Sequence, residues 1–235
     1  MRPTTSCMCS YVNSIETNTL FVILIHPMEF KKEKNGTGIL THLQLKNSKL
    51  IIGVNFSKDK EVNDILSDPE IEPYILYPGS ESINLSDPNT SLPRTNKRKV
   101  IFIIDGTWPC AKKMLRLSTN LHGIPKISFE NHKLSKFLLK QQPNPACLST
   151  IESTHLLLDL LNQKNVESVN LDPFLLPFKK MIDYQIECIE NPPSHSYRST
   201  GKGRVNKKDM YKANNGRKLF FDETEYKKHK FLQKL

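Results

Sequence analysis

Nothing in this sequence approaches about 18 consecutive apolar residues, so no stretch reads as a membrane-crossing helix. Residues Met1 to Val12 have no apolar segment of the kind a secretory leader requires. Cysteine is scarce: five residues, an odd number scattered along the chain, which argues against a disulfide framework. A reducing compartment suits that usage, so the expected location is the cytoplasm. There is one tryptophan, no internal repeat, no Walker lysine–serine/threonine pair and no Rossmann glycine spacing. Apolar residues make up 37%, which is low but enough for one core in 235 residues.

Positive charge is plentiful, and its placement is uneven. The net charge is +10, and residues 191–235 hold 12 Lys and Arg against 4 Asp and Glu. The chain is therefore read as a domain over residues 1–190 followed by a basic tail over 191–235. A concentrated basic segment suits a polyanion such as RNA, although a solvated tail that only aids solubility has the same composition. The tail residues singled out for RNA are Lys202, Arg204, Lys207 and Lys208, with Tyr197 and Tyr211 interleaved as stacking platforms.

The most informative stretch is Val100 to Met114, VIFIIDGTWPCAKKM. Val100 to Ile104 fits a strand buried on both faces. It ends at Asp105; Gly106 permits a tight turn, Thr107 stands at a helix N-cap, and Pro109 falls in the first helical turn. Ala111, Met114, Leu115, Ser118 and Leu121 then recur at helical spacing, with Lys112, Lys113 and Arg116 on the opposite side. Asp105 and Trp108 are thus expected at the carboxyl end of a central strand, where open α/β sheets bind ligands. A capped helix with a buried Trp explains the same stretch without any ligand.

Other strands are expected at Leu20–Ile25, Leu50–Phe56, Pro73–Tyr77 and Lys126–Phe129, with a short helix over Asp59–Leu66. Ser80–Arg98, rich in Asn, Ser and Pro, reads as a surface loop. Ser149 and Glu152 fit a capping box that opens a helix through Leu161, whose first amides suit an anion. Asp172-Pro173 is expected to open a last helix, with an apolar stripe of Phe174, Phe178, Met181, Ile182, Ile186 and Ile189. Strands alternating with helices give an α/β fold with a mostly parallel sheet. Three strand ends carry polar or turn residues, namely His26, Tyr77-Pro78-Gly79 and Asp105, and these are expected to share one crevice. His26 alone is equally a strand-end histidine bonded to backbone. Cys7 and Cys9 form a Cys-x-Cys pair, and a structural zinc site normally needs four ligands.

Four separated stretches together resemble the DTW-domain family of tRNA-uridine aminocarboxypropyltransferases. They are His26-Pro27-x-Glu29 with Asn35-x-Thr37-Gly38; Leu76-Tyr77-Pro78-Gly79; Asp105-x-Thr107-Trp108 with Ala111-Lys112-Lys113-Met114; and Ser149-Thr150-x-Glu152. Gly36, between Asn35 and Thr37, is a one-residue departure from the family's Asn-Thr-Gly. Arg2-Pro3 with Cys7 and Cys9 resembles the end of the family's N-terminal cysteine cluster, whose upstream cysteines are missing here.

The resemblance implies a SPOUT-like knotted fold. It implies transfer of the 3-amino-3-carboxypropyl group of S-adenosylmethionine to N3 of a tRNA uridine, with 5′-methylthioadenosine as by-product. It assigns the catalytic centre to Asp105, Thr107 and Trp108, with Asp105 as the candidate base. It assigns S-adenosylmethionine binding to His26, Glu29, Asn35, Thr37, Gly38, Leu76, Tyr77, Pro78, Gly79, Ser149, Thr150 and Glu152. Backbone amides near Tyr77 to Gly79 and at Ser149-Thr150 are expected to hold the nucleoside or the amino-acid end. Lys112, Lys113 and Arg116 are expected to meet RNA phosphate. A SPOUT-like RNA methyltransferase and a non-catalytic RNA-binding protein are the alternative readings.

Overall fold

The computed structural model describes residues 6–32, 36–131, 135–137 and 147–191. Asn35, the four basic residues of the tail and residues 138–146 lie outside them. The described chain divides into two units: residues 1–130 with 150–178, and residues 131–149 with 179–235.

The first unit is built on a six-stranded sheet of order β2-β1-β5-β3-β6-β4 in which every neighbouring pair is parallel. The strands are β1 (Leu20–Ile25), β2 (Ser48–Ile52), β3 (Ile71–Leu76), β4 (Ile83–Asn84), β5 (Arg98–Asp105) and β6 (Lys126–Ser128). The two wholly apolar runs are the middle of the sheet: Leu20 to Ile25 pair in register with Val100 to Asp105. Alternate residues then serve alternate faces. Val22, Leu24, Val100 and Phe102 join Val62 of α3 (Lys60–Leu66) and Met114 of α4 (Trp108–Leu117) in one buried cluster. Phe21, Ile23, Ile101 and Ile103 are buried too, on the other face. There α2 (Thr37–Gln44) packs against α5 (Thr150–Gln163). Each such side chain contributes roughly 1.5–3 kcal/mol through burial.

Several boundaries differ from expectation, each for a local reason. β2 begins and ends earlier than 50–56 because Gly53 turns the chain over Phe56; a Cβ there would lie 2.7 Å from the Phe56 ring. The expected loop 80–98 contains β4, and it buries Leu85 and Leu92. Between β1 and β2 the chain forms α1 (Pro27–Lys32) as well as α2. The last helix, α6 (Leu176–Glu190), starts three residues beyond Pro173, after a turn in which Leu176 N donates to Pro173 O. Pro177 has no N–H to continue a helix begun at 173, but it is tolerated in the first turn of one begun at 176. Phe174 therefore precedes the helix, and Ile189 at the far end of the stripe is exposed. In the second unit Lys180 and Asp183, one turn apart on α6, form an ion pair at 3.6 Å.

Two carboxylates brace the amino ends of the strands. Glu167 is buried and accepts from Asn18 N at 3.0 Å and Thr19 N at 2.6 Å, which ties the exit of α5 to the start of β1. Glu72 accepts from Lys99 Nζ at 3.0 Å, Thr95 Oγ1 at 2.8 Å and Tyr74 Oη at 2.9 Å. Burial alone would raise the Glu72 pKa, but these hydrogen bonds and the Lys99 charge outweigh it and hold the carboxyl below its ordinary value. Burial first, then Glu72, pushes the Tyr74 phenol well above its own. Because the folded value of Glu72 lies below the unfolded one, its stabilisation is complete above the ordinary Glu pKa and is lost as pH falls through the folded value. The expected result is a melting temperature that drops from about pH 5 downward, with a shallower drop in Glu72→Gln. Thermal melts of both proteins across that range check it.

Candidate active site

A run of apolar residues that ends in a carboxylate leaves that carboxylate at the edge of the core. Asp105 is the last residue of β5 and is only 7% exposed. Its peptide oxygen accepts from His26 N at 2.9 Å, so the exits of β1 and β5 are stitched together. Its Oδ1 accepts from Thr150 Oγ1 at 2.5 Å; Thr150 is the first residue of α5. Its Oδ2 lies against Gly38 in the first turn of α2, where an added Cβ would come within 2.1 Å of that oxygen. The carboxylate is therefore seated between the starts of two helices, where the partial positive charge of a helix N-terminus favours an anion.

The turn after Asp105 is tight. Gly106 lies between His26 and Cys110: a Cβ on it would stand 3.3 Å from Cys110 Cβ and 3.5 Å from His26 Cβ. Thr107 occupies the N-cap position of α4, yet its side chain makes no capping hydrogen bond and is exposed. Trp108 opens α4 and is 37% exposed, so the reading of it as a buried core Trp is wrong. It meets Tyr77 edge to face, with ring centroids 6.1 Å apart and planes at 70°, a favoured aromatic geometry. Burial raises the pKa of the Tyr77 phenol. Because β1, β3 and β5 are parallel, His26, Tyr77 and Asp105 all stand at the same edge of the sheet.

Other expected site residues take varied positions. His26 Nδ1 accepts from Met28 N at 3.2 Å, the backbone-bonded arrangement that a strand-end histidine adopts. Glu29 and Thr37 are buried in the first turns of α1 and α2, and Glu152 is buried in the first turn of α5. Leu76 is a sheet residue opposite Ile103. The Tyr77 amide donates to Ile127 O at 3.0 Å, so it is spent on the sheet and does not serve a ligand as expected. Pro78 and Gly79 are exposed, and a Cβ on Gly79 would meet nothing within 4 Å. Ser149 belongs to the second unit and immediately precedes α5, so Glu152 holds the third helical position that a capping box requires.

Lys112, Lys113 and Arg116 are exposed on α4 and form no ion pair among the described residues. Cys7 and Cys9 are in no disulfide, and no group of three or more His, Cys, Asp or Glu that would hold a metal occurs among the described residues. Sequence reasoning missed Cys110 beside the turn and the direct bond from Thr150 to Asp105.

A carboxylate fixed between helix starts at the carboxyl edge of an all-parallel sheet, with an aromatic pair at the same edge, defines an α/β protein of the class whose strand ends bind ligands. The comparisons make the class specific. The DTW domain matches residues 1–186, and the chain belongs to the DTW-domain family. It is similar to tRNA-uridine aminocarboxypropyltransferase 2 of Mus musculus, at 28% identity over 190 residues, which cover 79% of this chain and 62% of that protein. The Macaca fascicularis protein of the same name is 27% identical over 196 residues, covering 79% and 62%. That of Drosophila melanogaster is 29% identical over 171 residues, covering 69% and 65%. The chain thus matches less than two thirds of the length of each of these relatives. No solved structure matches it.

Proposed function

We propose that this protein is an enzyme that transfers the 3-amino-3-carboxypropyl group of S-adenosylmethionine to N3 of a tRNA uridine, releasing 5′-methylthioadenosine. The observation that carries the reading is the seat of Asp105, which meets two of the family's other motif stretches, one through His26 and Gly38 and one through Thr150. The printed names of the relatives point to the same group transfer.

N3 of uridine is a weak acid and must lose its proton to become a nucleophile. Asp105 takes that proton while Thr150 holds the carboxylate in place. The sulfonium donor supplies an electrophilic carbon and a neutral thioether leaving group. Orientation must select that carbon over the methyl on the same sulfur. The Trp108–Tyr77 edge offers an apolar wall for this, and the open side at Gly79 leaves room for a nucleoside. Glu29, Thr37, Gly38 and Thr150 are the residues that would hold the donor. N3 lies on the Watson–Crick edge, so the uridine enters unpaired. Lys112, Lys113 and Arg116, with the tail, meet phosphate. The all-parallel sheet with helices on both faces supports a SPOUT-like topology, and five cysteines, none of them in a disulfide, support a cytoplasmic location. No helix among the described residues is long and apolar enough to cross a membrane.

The test is mass spectrometry of nucleosides from unmodified tRNA incubated with the protein and S-adenosylmethionine. The expected result is uridine heavier by one aminocarboxypropyl group. A gain of methyl alone would make the protein a methyltransferase, and bound but unchanged tRNA would make it a binding protein.

A further inference from the structure

The first unit has a concavity at the opposite edge of the sheet from Asp105. It is a cavity of about 630 Å³ formed where β1 and β5 begin and α5 ends. Five cations line it, Arg94, Lys97, Arg98, Lys99 and Lys164, and no carboxylate is among its lining residues. Three of the five are held in place. Lys164 Nζ donates to Asp87 O at 3.0 Å and to Thr90 O at 2.5 Å. Lys99 Nζ donates to Pro93 O at 2.9 Å as well as to Glu72, and Arg98 Nε donates to Asn18 O at 3.3 Å. Except at Lys99, these partners are carbonyls, which orient the cations without neutralising them. Arg94 and Lys97 are exposed and make no ion pair among the described residues.

We propose that this cavity is a second RNA contact, which takes backbone phosphates of the tRNA remote from the uridine at Asp105. The proposal rests on the reading that tRNA is the substrate. Phosphate is the ligand that a preorganised cluster of Lys and Arg recognises, and of the five cations here only Lys99 is paired with a carboxylate among the described residues. Distance argues for a polymer. Arg98 and Asp105 are the two ends of β5, about 23 Å apart at 3.3 Å per residue. The 14 residues of α5 cover the same gap, about 21 Å, from Thr150 at the carboxylate to Lys164 at the cavity. That separation is beyond two Debye lengths of about 8–10 Å, so the cavity does not act on the reacting uridine through its field. A polynucleotide touches both edges; a nucleoside does not.

The experiment measures tRNA affinity of the full chain against salt for the wild type, Arg94→Gln/Lys97→Gln and Arg94→Glu/Lys97→Glu. Transfer activity and binding of uridine monophosphate are measured alongside. Each lost phosphate contact lowers the slope of log affinity against log salt by about 0.7–0.9. The Gln pair is therefore expected to lose about 1.5 from the slope and to bind tRNA roughly ten-fold more weakly at low salt, with the Glu pair weaker still. An unchanged slope and affinity in both variants overturns the proposal. So does tight binding of uridine monophosphate that is lost in the variants while tRNA binding is kept, since the site would then belong to a small nucleotide. If the wild type transfers the group and the slopes coincide, the cavity fails and the reaction stands. If the slopes differ but no group is transferred, the cavity stands and the reaction fails.

Discussion

Asp105→Asn is expected to lower the rate of transfer to tRNA by about 100-fold or more, the range that a positioned general base supplies. Asn is nearly isosteric. Its amide oxygen still accepts from Thr150, and the peptide oxygen still accepts from His26, so the strand end keeps its shape. What Asn lacks is the ability to take a proton. The loss should therefore fall on the single-turnover rate, with tRNA affinity unchanged and the melting temperature within a few degrees of wild type. Thr150→Ser keeps the hydroxyl and is expected to keep most of the activity. If Asp105→Asn transfers the group at the wild-type rate, Asp105 is not the base and serves only to orient the substrate.

The second large effect is steric. Gly38→Ala places a methyl carbon 2.1 Å from Asp105 Oδ2 and 2.8 Å from its Cγ. The carboxylate has little room to yield, because Thr150 holds one oxygen and the residue ends a paired strand. Either α2 moves away from the sheet or the carboxylate leaves Thr150. Overpacking of this kind costs about 1–3 kcal/mol, and a misplacement near 1 Å at a reacting group costs about 100-fold in rate. Both losses are expected together, read as a lower melting temperature and slower transfer. Gly79→Ala is the control: its new methyl meets nothing within 4 Å, and its stability should match wild type. In an Asp105→Ala background the cost of Gly38→Ala to stability should largely vanish, since the clashing carboxyl is gone. A cost that persists there would place the clash elsewhere.

The middle of the sheet was legible because Leu20–Ile25 and Val100–Ile104 are unbroken apolar runs, and only a strand covered on both faces explains two such runs. The common edge of His26, Tyr77 and Asp105 was legible for a related reason: parallel strands put all their carboxyl ends on one side. The position of Thr107 as N-cap was legible too, although its side chain makes no capping hydrogen bond. Weaker elements were hidden. β4 has two residues, Ile83–Asn84, inside a polar stretch, and it exists only because β6 offers an edge. The start of α6 was misjudged because Pro173 and Pro177 both suit a first turn, and local sequence does not choose between them. The bond from Thr150 to Asp105 joins residues 45 apart, and no local pattern reports such a contact. The fate of the Tyr77 amide was equally hidden, since it depends on where β6 lies.

The strand that carries Asp105 is made late. β5 pairs with β1 across a separation of 80 residues, Leu20 with Val100, and it inserts between two strands already synthesised. As the chain leaves the ribosome, β1 and β3 have no common neighbour until β5 follows them out, and the edge pair of β1 and β2 must wait with its inner edge open. Closing contacts of such long sequence separation slows folding. An unpaired inner edge of this kind is also what invites association between nascent chains. The seat of the Asp105 carboxylate is completed later again, when Thr150 emerges. A truncated product that ends between β6 and α5 therefore has the strands of the sheet without the seat of its carboxylate, and a cell gains nothing from it but a burden for its chaperones.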